Sequence, residues 1–175
     1  MDPQQQLLDK TIKGEDILSP ATLIAVPQTL HGFVDDELYT RVVERAVGEL
    51  DVGYERAELL GTNGFGYLRF LCDNPGRAFV PSNELDPILH IIGAYTIEVN
   101  AICAERTGVL DAIYVHAPED VPGIPAGVGG ALETREVMNA QGVNYDTGLW
   151  GDVSAFSANP CAYSVAARGV IAIAA

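Results

Sequence analysis

Leu85-Asp86-Pro87-Ile88-Leu89-His90-Ile91-Ile92-Gly93-Ala94-Tyr95-Thr96-Ile97-Glu98-Val99-Asn100-Ala101-Ile102-Cys103-Ala104-Glu105-Arg106-Thr107-Gly108 is the stretch on which the fold turns. Asp86 before Pro87 suits a capping residue followed by proline at the first helical position. Gly108, just past Arg106 and Thr107, suits the left-handed residue that ends a helix. Between them Leu85, Leu89, Ile92, Val99 and Ile102 keep a helical spacing, while Ile88, Ile91, Ala94, Ile97 and Ala101 make the other faces apolar too. The pattern predicts one helix over 87–106, buried on most sides and central to the domain.

On the N-terminal side, Asp35, Asp36 and Glu37 stand where a helix start favours acids, and Leu38, Val42, Ala46 and Leu50 recur every four residues. This predicts an amphipathic helix to about Leu60, weakened at Gly48 and Gly53. Gly61-Thr62-Asn63-Gly64 reads as a turn. A short helix then presents Phe65, Leu68 and Leu71/Cys72 on one face until Asn74-Pro75-Gly76 stops it. Residues 1–34, broken by Pro3, Pro20 and Pro27, form an irregular arm with at most one short helix around Pro20 to Ala25.

On the C-terminal side, Val109 to His116 fits a strand or an extended connection ended by Pro118. Residues 118–130 read as a loop, in which Gly127-Val128-Gly129-Gly130 is plain flexible chain and no phosphate cradle. Leu132 to Gln141 fits a further helix. From Gly142 onward the chain is rich in Gly, Asn, Asp and Ser and reads as irregular, with Val170 to Ala174 an edge strand. The fold class expected is therefore mainly α: one compact domain with an arm over 1–34, a helical core over 35–141 around its buried helix, and an irregular segment over 142–175 packed on that core.

In 175 residues, acids outnumber bases 24 to 10, a net charge of −14 that repels phosphate backbones and anionic headgroups. Nucleic-acid and membrane-surface roles are thereby disfavoured, and an apolar share of 48% argues against disorder. Cys72, Cys103 and Cys161 form no CxxC pair and are expected as reduced thiols, the first two as small hydrophobes in helices. The opening MDPQQQLLDK lacks a signal-peptide pattern, and no apolar run approaches the roughly 20 residues of a membrane span. Both point to the cytoplasm.

Three histidines occur, His31, His90 and His116. His31, between Leu30 and Gly32, reads as structural. His90 lies four residues after Asp86 and can meet it on one helix face. His116 follows the apolar helix after one short connection and reaches the start of that helix if the chain folds back. Two imidazoles and a carboxylate (Asp86 or Asp111) suit zinc or non-haem iron, and the same imidazoles suit general acid–base work. Tyr95 and Asp86 are the supporting groups. The structural alternative keeps Asp86 as a helix cap and His90 as a satisfied core histidine. The chain holds no HExxH, GxSxG, P-loop or GxGxxG before a helix.

Pro81-Ser82-Asn83-Glu84-Leu85-Asp86-Pro87-Ile88-Leu89-His90, then Thr96, Cys103, Gly108 and Val115-His116-Ala117-Pro118, resembles the core of the glycine-rich-domain-containing protein-like family. Tyr67-Leu68-Arg69-Phe70-Leu71 matches its upstream Y-x-R-F-L segment, and Gly148-Leu149-Trp150 its late tryptophan. The likeness covers residues 62–118. The family's W-H-x-H stands here as Leu89-His90-Ile91-Ile92, its paired histidines as Val115-His116, and its tyrosine as Val99. The resemblance implies a helical fold and, for bacterial members of this size, small-molecule biosynthetic chemistry, with half of the family's histidine set retained.

Three functions fit these readings. One is a bacterial biosynthetic enzyme of secondary metabolism that acts on an apolar metabolite through His90 and His116, by acid–base or metal-assisted chemistry. Another is a binding or carrier module that kept the fold and lost the site. A third is a structural or assembly protein, with self-association into a homo-oligomer allowed by the apolar tail.

Overall fold

Asp35 opens the first helix, α1 (Asp36–Leu50), by accepting the Leu38 N–H at 2.7 Å, with Asp36 and Glu37 in the first turn. The computed structural model describes residues 23–117, 128–151 and 161–167. The described part of the arm has no α-helix, only a 3-10 turn at Gln28–Leu30. It is pinned to α1 where Ile24 N–H donates to Thr40 Oγ1 and Val26 N–H to Asp36 Oδ1, both at 2.8 Å.

The first helix stops at Leu50, ten residues short of the sequence expectation. Asp51 turns left-handed (φ 52°) and Gly53 starts a second helix, α2 (Tyr54–Asp73). Aspartate is among the side chains that tolerate this region, so the break needs no glycine at its pivot.

Gly61-Thr62-Asn63-Gly64, expected as a turn, lies inside α2. The glycines serve close helix packing. A Cβ at Gly64 would stand 2.9 Å from Ile92 Cδ1 and 3.1 Å from Ile88 Cγ2, and one at Gly61 would stand 3.2 Å from Val43 Cγ2. Asn63 reaches back to Leu59 O at 2.8 Å and accepts from Asp146 N–H at 2.8 Å, joining the helix to the late segment. Asn74 ends α2 and exchanges amide hydrogen bonds with Gln141 at 2.8 and 3.0 Å.

The single helix expected over 87–106 is two helices, α3 (Asp86–Gly93) and α4 (Thr96–Thr107), bent by 97°. Gly93 sits against the Tyr114 ring, which leaves 3.0 Å for a Cβ. Tyr95 then leaves helical geometry, and Thr96 Oγ1 donates to Gly93 O. The broad apolar surface thus splits between two jobs. Ile88, Leu89, Ile91 and Ile92 of α3 are buried, whereas α4 buries Val99 and Cys103 and leaves Ile97 84% exposed. Asp86 is the first residue of α3 and Pro87 the second, with Ser82 Oγ accepting the Leu85 N–H. Gly108 ends α4 at φ 70°, as its position predicts.

The central place belongs to α2, which buries Phe65, Tyr67, Leu68, Phe70 and Leu71. Cys72 and Cys103 are buried between α2 and α4 with their sulfurs 3.9 Å apart, and neither is in a disulfide.

Three strands, β1 (Ala78–Phe79), β2 (Ala112–Ala117) and β3 (Ala162–Ala167), form an antiparallel sheet in the order β1-β3-β2. β3 corrects the reading of 142–175 as irregular: it is the middle strand. The edge strand expected at Val170–Ala174 lies outside the described residues. A fifth helix, α5 (Val128–Ala140), starts within the segment read as a loop, and its Thr134 Oγ1 accepts the Val80 N–H. Mainly α describes the chain, and no single described helix is long and apolar enough to cross a membrane.

Candidate functional site

Strand pairing decides where the site forms. His116 of β2 is opposite Tyr163 of β3, and side chains alternate faces along a strand. Tyr114 and His116 therefore share a face, and the Tyr163 ring stacks on both, with centroids 4.7 Å from His116 and 5.6 Å from Tyr114. By the same alternation Cys161, two residues before Tyr163, falls on this side. α3 lies over it and supplies Asp86 from its first turn and His90, one turn later, from its last. The His90 ring meets the His116 ring edge-on, with centroids 4.3 Å apart and planes at 78°.

Asp86 is the acceptor of the group. Its Oδ1 takes the Tyr163 hydroxyl at 2.8 Å, its Oδ2 lies 3.4 Å from His90 Nε2, and its charge acts on the Cys161 thiol. Its side chain is 16% exposed against 47% for His90, so the carboxylate is sheltered and the imidazole half-open. Burial, with a smaller contribution from His90, lowers the His116 pKa against the pull of Asp86, and the ring is neutral at pH 7. Burial and then the Asp86 charge raise the Cys161 thiol. Burial, reinforced by Tyr114 and Asp86, also holds the Tyr163 phenol protonated.

Among the described residues, His116 Nε2 is shielded from water and has no hydrogen-bond partner, a condition shared by the Tyr67 hydroxyl. Asp86 and Tyr67 are close enough for the carboxylate charge to raise the phenol pKa, second to burial. Arg41 Nε and Trp150 Nε1 also lack a partner among the described residues; Arg41 instead pairs with Glu98 through Nη2, and Trp150 packs between the Tyr67 and Tyr145 rings. One ligand atom from each of His90, His116 and Cys161 lies within 4.8 Å of the other two.

Of the residues singled out from sequence, His90, His116 and Asp86 come together. Tyr95 does not join them: its hydroxyl donates to Arg41 O at 3.2 Å, and its ring lies under the Arg41 and Arg45 guanidiniums. His31 bonds Val26 O through Nε2 at 2.9 Å, the structural role expected of it. Cys161 and Tyr163 were missed. Their signal is the period-two run Cys161, Tyr163, Val165, which the surrounding Gly- and Ser-rich sequence hides. Cavities of about 240 and 380 Å³ lie beside Arg69; neither is lined by His90 or His116.

No protein-family model matches the chain, and no solved structure matches it. Two curated proteins are similar over part of it. Phosphoribosylamine–glycine ligase of Methanococcus vannielii is 35% identical over 101 residues, 58% of this chain and 21% of the ligase. Its counterpart in Methanococcus maripaludis is 31% identical over 106 residues, 61% of this chain and 23% of the ligase. The chain thus aligns with between a fifth and a quarter of the length of these biosynthetic enzymes.

Proposed function

We propose that this chain is a small biosynthetic enzyme that acts on an apolar small-molecule metabolite at the His90–His116 pair. The observation that carries the reading is the shielded Nε2 of His116, which has no partner among the described residues and lies beside the His90 ring. Leaving a buried polar group unpaired costs about 1–3 kcal/mol, so the arrangement suits an atom that is completed by a ligand. A neutral His116 can accept a proton, and His90, held by Asp86, can return one. The Tyr114 and Tyr163 rings give the apolar wall. Partial similarity to a biosynthetic ligase supports the class of function, not the reaction.

The test is to incubate the purified chain with a metabolite extract of its source cells and follow masses by chromatography. At least one small molecule should be consumed by the wild type and spared by both His90→Ala and His116→Ala, each melting within a few degrees of it. Metabolites retained but never converted would instead favour a binding module. Equal consumption by the variants would sink the proposal.

A further inference from the structure

We infer that His90, His116 and Cys161 bind one zinc ion, with a further position on the metal left for water or substrate. The inference deepens the enzyme reading and rests on it for the catalytic use of the metal, though not for the binding.

Three separate elements bring these donors together: the last turn of α3, the end of β2, and the residue that leads into β3. The ligand atoms lie within 4.8 Å of one another. Zinc bonds of about 2.0–2.3 Å in tetrahedral geometry set ligand atoms about 3.3–3.8 Å apart, so closure requires a contraction of at most about 1.5 Å. The half-exposed His90 side chain can make that movement by torsion. His116 Nε2 is already desolvated and has no hydrogen-bond partner among the described residues, so coordination through this nitrogen displaces no described hydrogen bond.

The donor types select the metal. Two imidazoles and a thiolate suit zinc, while calcium and magnesium require oxygen ligands. Asp86 is the carboxylate at hand, and its oxygens are taken by Tyr163 and the approach to His90. That places it behind the metal as a positioning residue that fixes an imidazole, a common arrangement in zinc sites. On binding, the imidazoles coordinate as neutral rings, and the Cys161 S–H bond breaks to give thiolate, its proton passing to solvent. Three ligands among the described residues match the open coordination of a catalytic ion better than a closed structural one.

The test uses the full chain stripped of metal and titrated with zinc and with cobalt(II). One equivalent of each should bind, and cobalt should give the near-ultraviolet charge-transfer band of a sulfur ligand. Cys161→Ser should lose the band and weaken zinc binding at least about 100-fold, beyond the 10–100-fold range typical of outer-sphere changes. Asp86→Asn should keep the band and weaken binding by about 10-fold or more. Circular dichroism of the metal-free variants establishes that they fold. If Cys161→Ser does not, protection of the wild-type Cys161 thiol by zinc against iodoacetamide gives the same answer. No stoichiometric zinc, unchanged binding by a folded Cys161→Ser, or unprotected alkylation overturns the site. Zinc held by all three residues, with metabolite consumption unchanged on its removal, overturns its catalytic use and leaves the site standing. Consumption without bound zinc leaves the proton-transfer enzyme and removes the metal.

Discussion

The contact of α1 with α2 and the contact of α3 with the β2–β3 pair are built on opposite terms. In the first, Val43 closes on Gly61, Tyr39 packs tilted against Phe65 at 6.0 Å, and the Tyr39 hydroxyl meets both Thr62 Oγ1 and Glu58 O. In the second, one carboxylate faces a thiol, a phenol and an imidazole, while His116 Nε2 and the Tyr67 hydroxyl find no partner among the described residues. The difference separates packing from chemistry. Where the protein needs stability it closes its hydrogen bonds. Around His116 it leaves one open.

The largest effect should come from the closed contact. Phe65→Ala removes a fully buried ring from α2 and is expected to cost about 3–5 kcal/mol in urea denaturation. A loss below about 1 kcal/mol would break the account of α2 as the centre. A pair of tyrosine replacements sharpens the comparison. Tyr39→Phe should lose about 0.5–1.5 kcal/mol, because Thr62 Oγ1 loses its partner. Tyr67→Phe removes a hydroxyl with no partner among the described residues and should leave stability unchanged or higher. If Tyr67→Phe is the more damaging of the two, the Tyr67 hydroxyl is satisfied in solution and the contrast fails.

The smallest effect is on pH dependence. The pKa of His116 is lowered in the folded metal-free protein, so below its ordinary value of about 6.5 the unfolded chain binds the extra proton. The stability associated with its neutral form is complete above about pH 6.5 and is lost as the pH falls from there toward the folded value. His116→Phe should flatten that part of the curve of stability against pH. A slope identical to that of the wild type would show that other groups set it.

Much of the helical half was legible because its signals are local. The four-residue spacing from Leu38, the acids before it, and Gly108 as a left-handed stop each depend on neighbours within a turn or two. The Asp86–His90 approach is also local, one helical turn. What misled was apolarity without direction. The 87–106 stretch is greasy all round because α3 faces α1 and α2 while α4 turns away by 97°, and nothing in the spacing of Ile and Val marks the change of partner. Gly61 and Gly64 carry turn chemistry when read alone and packing chemistry once Val43 and Ile92 are opposite. Cys161 was out of reach for a different reason. Its place depends on pairing between strands as far apart as Tyr114 and Val165, which no local pattern encodes.

β3 is the last described element in the chain and the middle strand of the sheet, so β1 and β2 are not neighbours and each pairs with it instead. During synthesis α1 and α2 can dock as soon as they emerge, because their contacts are near in sequence. The sheet has no such early form. Until Ala162–Ala167 leaves the ribosome, β1 and β2 have no common partner, His116 has no Tyr163 to stack on, and Asp86 has no phenol to hold it. The site is therefore assembled only once the last described strand has joined the sheet.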